Sequence, residues 1–454
     1  MKRIRIGSGH GYWGDIFDPG KKIVEEGDVQ YIAYDFLGEP TIPILQQLKR
    51  KSPDKGYVPA ISQLCRTILG TCLDKGIKIV TNAGAANPIK CGERVQEVAK
   101  GMGLKGFKIG VVVNDDIHES LDKYLEQGIT FENLDTGEKN IGLIKDKIVG
   151  SYVYIGSEPI VEALENGADI VLTPRTTDDA AILAPMIKEF GWGWDQWDLL
   201  ACGITAAHLI ECGGVSTGGV SNLWRDVPEP WNLGYPIADI SEKGDFFITK
   251  TKGTGGIINK TTITEHLLYE VHDPANYLMP EVVTDFTQIK LEEIGNTRVR
   301  VTGSKGKQKP DSLKVGFAYR DGFIGEGETT LTWPDALEKA KRSEEIIRKR
   351  FEMVGLKANE IRADYIGYNS VFGAVAEKLK EGHEPLEVRL RVTAKTDTRE
   401  EAAKVPREMT WLMGGGPIGS SGQLNAPAPR EVLALWPSLI PRELVQPKVI
   451  MMEV

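Results

Sequence analysis

Four side chains of this 454-residue chain are candidates for moving a proton. Asp15 follows the first predicted strand and Asp35 ends the second, and in open α/β sheets polar residues at such positions face a ligand. His208 and Glu211, in the stretch "HLIECGG", are three residues apart and therefore share one face of a helix. Carboxylates and imidazoles are the usual general acids and bases of enzymes. We therefore take Asp15, Asp35, His208 and Glu211 as candidate catalytic residues.

The same helical face offers a second chemistry. Cys212 lies four residues after His208, so the three side chains of His208, Glu211 and Cys212 could hold a metal ion. The stretch lacks the second histidine of an H-E-x-x-H motif, however. The sequence leaves open whether a metal is bound.

Polar residues after two further predicted strands could bind a carboxylate. Asn82 and Asn87 flank the small residues of "TNAGAANP", which let backbone amides approach an anion. Arg175, in "TPRTTDDAAI", can hold a carboxylate with two parallel N–H donors, and Asp178 enters the next helix. The alternatives are a turn capped by Asn87 and an Arg175–Asp178 pair that only fixes the loop. If Arg175 binds ligand, its replacement by alanine should abolish turnover and leave the melting temperature nearly unchanged.

The N-terminal stretch "IRIGSGHGYWGD" joins a strand to a glycine-rich loop. Its glycines at positions 9, 11 and 14 satisfy G-x-G-x-x-G, and Asp35 lies where a dinucleotide-binding protein carries its ribose-binding acid. The next helix begins only at "FDPGKK", and Asp15 would repel a pyrophosphate. Three interpretations stay open: a dinucleotide site, a tight turn, or a loop in which His10, Gly11 and Asp15 bind another ligand.

The stretch "TKGTGG" is a further candidate for anion binding. Backbone amides of Gly255 and Gly256 beside Lys252 and Thr254 would suit a phosphate or a carboxylate, such as a coenzyme A phosphate. No G-K-[ST] follows, so the stretch is not a Walker motif. The alternative is a surface hairpin.

The elements that must position these residues alternate between strand and helix. Apolar runs without clean alternation predict strands buried on both faces, namely "RIRIG", "VQYIAYD", "GIKIVTNAG", "FKIGVVVND" and "GADIVLTPR". Helices are predicted between them at 18–26, 41–50, 58–75, 91–102, 117–127 and 158–167. The predicted fold is α/β, with a mostly parallel, doubly wound sheet in the N-terminal half followed by a smaller α+β region.

Composition shifts divide the chain into three predicted segments. Residues 1–215 form an α/β ligand-binding domain, and 216–334 form a middle segment that is rich in glycine, proline and strand. A small α+β region covers 335–454. Within the middle segment, a helix is predicted to begin at Thr262, with Glu265 completing a capping box.

Charge and composition narrow the classes of partner. The net charge of −9, with acidic and basic residues interspersed, gives no reason to expect nucleic acid. No apolar run is long enough for a membrane span and no signal peptide is evident, so a cytoplasmic location is expected. Five cysteines without a C-x-x-C pair argue against a disulfide framework or a structural zinc cage. Small-molecule partners are favoured.

Several motifs, in order along nearly the whole chain, resemble the acyclic terpene utilization AtuA family. They are "GSGHGYWGD", "DFLGE", "TNAGAANP", "GADIVLTPRTTD", "FGW", "HLIECGG", "TGG", "GYPIADI" and "TKGTGG". The resemblance implies a role in the catabolism of citronellol-type acids through branched acyl-CoA esters. It also implies a separate small subunit that supplies the extra C-terminal domain found in some relatives. We further expect a homo-oligomer. Position 207, directly before His208, is alanine, whereas relatives are expected to have glycine there. This difference affects how closely the helix packs and not the chemistry.

The residues and the resemblance together predict a lyase or hydratase that acts on a branched hydroxy acid or its acyl-CoA thioester. Its ligand would be a carboxylate or thioester, with no cofactor indicated beyond a coenzyme A-linked substrate. Such chemistry needs a base beside a carbonyl and donors for the resulting enolate oxygen. Two alternatives stay open: an oxidoreductase that depends on NAD or FAD, and a non-catalytic ligand-binding subunit of a complex.

Overall fold

The computed structural model describes residues 1–295, 297–379, 384–422 and 426–454. The chain forms two compact units. The first comprises residues 1–318 and 435–454, and the second comprises 319–434. All candidate site residues lie in the first unit. The division at 215 and 334 stays a prediction from the sequence.

In chain order, the strands are β1 (Arg3–His10), β2 (Tyr31–Tyr34), β3 (Lys78–Thr81), β4 (Lys108–Val113), β5 (Ile148–Val153), β6 (Ile170–Leu172), β7 (Pro236–Ser241), β8 (Phe246–Lys250), β9 (Tyr277–Leu278), β10 (Val283–Asp285), β11 (Lys290–Glu293), β12 (Val299–Thr302), β13 (Lys305–Lys307), β14 (Ser312–Thr332), β15 (Glu360–Ile366), β16 (Glu387–Thr396), β17 (Ser420–Gly422), β18 (Arg430–Pro441) and β19 (Lys448–Glu453).

The helices, in the same order, are α1 (Asp18–Glu26), α2 (Thr41–Lys51), α3 (Ile61–Leu64), α4 (Gly70–Lys75), α5 (Pro88–Gly101), α6 (Leu121–Glu126), α7 (Glu158–Glu165), α8 (Ala180–Phe190), α9 (Trp197–Glu211), α10 (Lys260–Leu268), α11 (Ala336–Met353), α12 (Val375–Leu379), α13 (Arg399–Met409) and α14 (Leu412–Gly415). A π-helical turn, Cys65–Leu69, joins α3 to α4.

The first unit is built on a ten-stranded mixed sheet with the order β11-β12-β8-β7-β1-β2-β3-β6-β4-β19. The five predicted strands β1, β2, β3, β6 and β4 are parallel neighbours at its centre. The strands on both sides of this centre pair antiparallel. The predicted α/β class is confirmed, but the predicted mostly parallel sheet is wrong for the sheet as a whole. One reason is that only residues 242–245 join β7 to β8, too few for a parallel crossover.

Helices cover both faces of the central strands. Ile32, Ile79 and Leu172 face one apolar cluster, together with side chains of α1, α2 and α5. Their neighbours Ala33 and Val171 face the opposite cluster, which contains side chains of α7, α8 and α9. Burial on both faces explains why these strands are apolar without alternation.

The predicted helix at 18–26 coincides with α1, which Phe17 precedes without a capping side chain. Another predicted helix start differs from the structure. Thr262 does not begin α10: Asn259 caps the helix, its Oδ1 accepting from the Thr262 amide at 3.0 Å. The Thr262 hydroxyl accepts from the Asn259 amide at 3.2 Å, so Thr262 is the third helical residue of the box.

In the second unit, β15, β16, β14 and β17 lie side by side in antiparallel pairs. The helices α11 and α13 pack on this sheet through apolar side chains that include Ile347, Phe351 and Val405. The α+β character predicted for 335–454 agrees with α11 and β16 in this unit.

Candidate functional site

The glycine-rich loop after β1 is closed by Asp15. The Asp15 carboxylate accepts hydrogen bonds from the amides of Gly11 and Ile16, at 3.0 and 2.7 Å, and from the Tyr235 hydroxyl at 2.7 Å. Asp15 therefore fills the loop with its own carboxylate at amides that a phosphate would otherwise bind. This arrangement favours a structural role for Asp15 and gives no support to the dinucleotide interpretation.

Close packing explains why the loop carries glycine. A Cβ atom added at Gly9 would lie 2.3 Å from the ring of Tyr34, which is itself buried. We expect Gly9→Ala to lower the free energy of unfolding by about 1–3 kcal/mol, because the buried ring would have to shift to admit the methyl group. Gly70→Ala is the matched control, since a Cβ there meets no atom within 4 Å and the backbone is helical. That variant should be stabilised by about 0.5–1 kcal/mol, and urea unfolding measures both.

His10, at the end of β1, is 1 % exposed and lies among aromatic rings. Its ring centroid is 4.6 Å from that of Phe17 and 4.7 Å from that of Phe36. Neither ring nitrogen of His10 has a hydrogen-bond partner among the described residues. Burial lowers the pKa of His10, so the ring is neutral at pH 7 and offers one donor and one acceptor to a ligand.

Asp35 and Asn82 meet at the ends of the adjacent strands β2 and β3. The Asn82 amide donates to Asp35 Oδ1 at 2.5 Å, and the Asn82 carbonyl oxygen accepts from the Phe36 amide at 2.8 Å. Burial, followed by repulsion from the Asp178 carboxylate, raises the pKa of Asp35 to about 7. Asp35 keeps part of its surface accessible, so it can both reach a ligand and exchange a proton near neutral pH.

Arg175 follows β6 and is 4 % exposed. Its guanidinium donates to both oxygens of Asp178 and, at 2.8 Å, to the carbonyl oxygen of Leu37. The guanidinium also lies 4.6 Å from the ring centre of Tyr154. Within the described part of the chain Arg175 Nε has no partner, so one buried donor stays available in addition to the pair with Asp178.

Five of the predicted site residues line one small cavity at the carboxyl ends of the central strands. They are His10, Asp35, Asn82, Asp178 and Glu211. These residues come from five separate segments of the chain: the parallel strands bring the first four together, and the end of helix α9 adds Glu211.

His208 and Glu211 lie on one face of α9, as their spacing predicts. His208 Nδ1 is 3.2 Å from Glu211 Oε1, and His208 Nε2 is 2.9 Å from the carbonyl oxygen of His266. Burial lowers the pKa of His208 and raises that of Glu211 well above its usual range. Donor atoms of His208, Glu211 and Asp179 all lie within 4.8 Å of one another, a set that could hold a metal ion. Cys212 is not part of this set.

The remaining predicted residues lie elsewhere. The Asn87 amide donates to the carbonyl oxygens of Pro53 and Lys55, both at 2.8 Å, and so fixes a turn. Lys252 is exposed. Thr254 lines a separate open groove with Lys21, Lys22 and Trp231, with a volume of about 670 Å³.

Gly255 and Gly256 lie against backbone from the 217–229 stretch. A Cβ at Gly255 would lie 2.2 Å from the carbonyl oxygen of Glu229, and one at Gly256 would lie 2.6 Å from that of Thr217. Gly256 also has φ near +93°, where glycine is favoured. Both glycines therefore serve close packing in this structure.

Two features of the candidate site were not predicted from the sequence. The first is Asp179, which is fully buried and has one oxygen, Oδ1, without a partner among the residues that the structure describes. Its position directly after Asp178, at the start of α8, was the available signal. The second is a mainly apolar cavity of about 370 Å³, with Asp178 and Tyr277 in its wall. No local pattern could have shown it, because its lining comes from residues between 134 and 439.

In the part of the chain that the structure describes, no helix combines the length and the apolar character needed to cross a bilayer. The fold and the site define a mixed α/β protein in which a cluster of buried carboxylates adjoins an apolar cavity. The chain belongs to the acyclic terpene utilisation family: the model of that family, described as "Acyclic terpene utilisation family protein AtuA", matches residues 4–451. The resemblance drawn from the motifs is thereby confirmed. Comparisons with curated proteins and with solved structures gave no match.

Proposed function

We propose that this protein is a lyase that cleaves a branched hydroxy acid, or its acyl-CoA thioester, beside the carbonyl group. The observation that carries the proposal is the position of Asp178, which lines both the polar cavity of Asp35 and the apolar cavity. The polar cavity, about 10 Å³, has room for one water-sized group, so a substrate whose hydrocarbon chain lies in the apolar cavity would place only its reacting group at Asp35. The family description, which names acyclic terpene utilisation, is consistent with a branched hydrocarbon substrate.

Asp35 is the proposed acid–base group. Its carboxylate takes the proton of the substrate's 3-hydroxyl, C3 becomes a carbonyl as the bond between C2 and C3 breaks, and the electron pair passes to the enolate of the other fragment. Asp35 then returns the proton to C2. Arg175 lines neither cavity, and it acts as a positioning residue by holding Asp178, which lines both. Asn82 acts as a positioning residue through its hydrogen bond to Asp35.

A lyase needs only one acid–base group in this cycle, whereas a hydratase needs a second acid for the departing hydroxyl. The polar cavity has two further carboxyls: Asp178 is paired with Arg175, and Glu211 Oε1 faces His208 Nδ1 at 3.2 Å. The arrangement therefore favours cleavage of a carbon–carbon bond over dehydration. The hydratase remains the second candidate because Glu211 lines the same cavity as Asp35.

Product analysis tests the assignment. Incubation of the purified chain with a branched 3-hydroxyacyl-CoA should give two carbonyl fragments, identified by mass spectrometry. A product lighter by one water would instead indicate the hydratase. Oxidation that requires NAD or a bound flavin would overturn the proposal in favour of an oxidoreductase. Thermal stabilisation by the thioester without turnover would indicate a binding subunit.

The apolar cavity yields a separate prediction. Leu278 lines it yet is 65 % exposed, so Leu278→Glu should leave the fold intact. Loss of contact with one or two substrate methylenes, at about 0.8 kcal/mol each, should raise KM for a long branched substrate about tenfold. Leu268→Glu is the control, because Leu268 is 62 % exposed and lies outside the cavity lining. Equal KM values for the two variants would show that the hydrocarbon binds elsewhere.

A further inference from the structure

The hydrogen bonds of His208 fix which of its nitrogens carries a proton. A carbonyl oxygen can only accept, so the contact between His208 Nε2 and the carbonyl oxygen of His266 places the proton on Nε2. An imidazole that donates from Nε2 in this way has its lone pair on Nδ1. That lone pair is 3.2 Å from Glu211 Oε1. Two lone pairs at this distance repel unless a proton or a cation lies near both atoms.

Two carboxylate oxygens beside this contact lack partners among the described residues. Glu211 Oε2 and Asp179 Oδ1 are buried and receive no hydrogen bond from them. Asp179 Oδ2 has a long contact, 3.4 Å, from the Tyr277 hydroxyl. Two ionised carboxylates buried without donors or a counter-charge would cost several kcal/mol, so each must take up a proton or share a cation. Arg175 does not relieve this cost, because its guanidinium is paired with Asp178.

We propose that Asp179, His208 and Glu211 bind one divalent transition-metal ion. Nδ1 of the imidazole and one oxygen from each carboxylate would be its ligands. These donor atoms lie within 4.8 Å of one another, whereas two ligands of one ion at roughly 2.0–2.2 Å lie about 3.4 Å apart in tetrahedral geometry. The side chains would therefore draw together by up to about 1.4 Å on binding.

The donor set indicates the class of metal. A single imidazole with two carboxylates suits Mn²⁺, Fe²⁺, Co²⁺ or Zn²⁺ better than Ca²⁺, which prefers oxygen ligands throughout. The Nε2–H bond to a backbone carbonyl is the outer contact that orients most metal-binding histidines. Three protein ligands leave positions for water or substrate. Glu211 also lines the cavity of Asp35, so these positions would be close to the proposed substrate.

The proposal does not depend on the reaction class and is tested without an activity assay. Full-length protein treated with a chelator and dialysed is titrated separately with Mn²⁺, Co²⁺ and Zn²⁺ by calorimetry. We expect one ion per chain for at least one of the three. Asp179→Asn and Glu211→Gln keep side-chain volume and should weaken that affinity at least about 100-fold, since each removes a ligand. No binding by the unaltered protein, or full affinity in both variants, overturns the site.

Two further measurements distinguish the proposed site from metal binding at the surface and cover the case in which the variants do not fold. His272→Gln replaces a histidine outside the cluster and should bind metal as the unaltered protein does. Equal weakening in that variant would mean surface binding and would overturn the proposal. If the ligand variants fail to fold, pulsed EPR of the Mn²⁺-loaded unaltered protein decides. Coupling to one imidazole nitrogen supports the site, and the absence of nitrogen coupling contradicts it.

Discussion

Asp35→Asn should lower kcat by about 10²- to 10⁴-fold on a branched 3-hydroxyacyl-CoA, the range that one general acid–base group supplies. The amide fits the same space but cannot take up the substrate proton. In the unaltered protein Asp35 must be ionised to act as a base, and because its pKa is about 7, kcat/KM should rise with pH through that value. The variant's residual activity should lack this rise. Steady-state kinetics between pH 5 and 9 measure both effects.

Asp28→Asn is the matched control for this variant. Asp28 is exposed in the turn before β2 and has φ near +51°, which asparagine tolerates. Its replacement should leave kcat and the pH profile unchanged. Full activity of Asp35→Asn, with its circular dichroism spectrum and melting temperature retained, would show that another group moves the proton.

Arg175→Ala should abolish detectable turnover and also destabilise the protein by about 2–3 kcal/mol. The cost arises because Asp178 and the carbonyl oxygen of Leu37 lose their donor in a buried setting. It lies below the roughly 3–5 kcal/mol typical of a fully buried pair, since 34 % of the Asp178 side chain reaches solvent. The sequence-based expectation of an unchanged melting temperature does not fit this burial. Urea unfolding and product analysis test the two effects separately.

Arg175→Lys distinguishes structure from chemistry. Lysine keeps the positive charge beside Asp178 but lacks the planar fork and the Nε donor. It should recover part of the stability and little of the turnover. Arg66→Ala, which removes an exposed arginine from the π-helical turn, should change stability by less than about 0.5 kcal/mol. Turnover restored by lysine would show that Arg175 contributes charge alone.

Much of the sheet's centre could be predicted from the sequence. The apolar runs that end at Tyr34, Thr81 and Leu172 form neighbouring parallel strands, because burial on both faces requires apolar residues throughout. The outer antiparallel strands were not predicted. Strand partners are chosen by packing across the whole unit, as β19 shows: Lys448 at its start pairs with Val113 of β4, far earlier in the chain.

The sequence identified several residues of the candidate site but not the hydrogen bonds that they form. The positions of Asp35, Asn82 and Arg175 after strands marked them as neighbours of a ligand, since parallel strands end at one edge. Asn87 has the same local signal, yet its amide binds the carbonyl oxygens of the 53–55 turn. No sequence pattern marks Asp179 as a site residue except that it follows Asp178 directly. The orientation of a side chain at a strand end depends on the hydrogen-bonding groups that other segments of the chain place around it.

The sequence by itself determined the family, the α/β class and the helical face that His208 and Glu211 share, because local periodicity and motif order are properties of the chain. The tertiary structure alone decided that Asp179 joins those two residues, that Asp15 closes its own loop and that an apolar cavity adjoins Asp178. These features depend on burial and on distances between segments far apart in the chain. Such distances are set when the helices pack on both faces of the sheet, which fixes the electrostatic environment of each carboxylate.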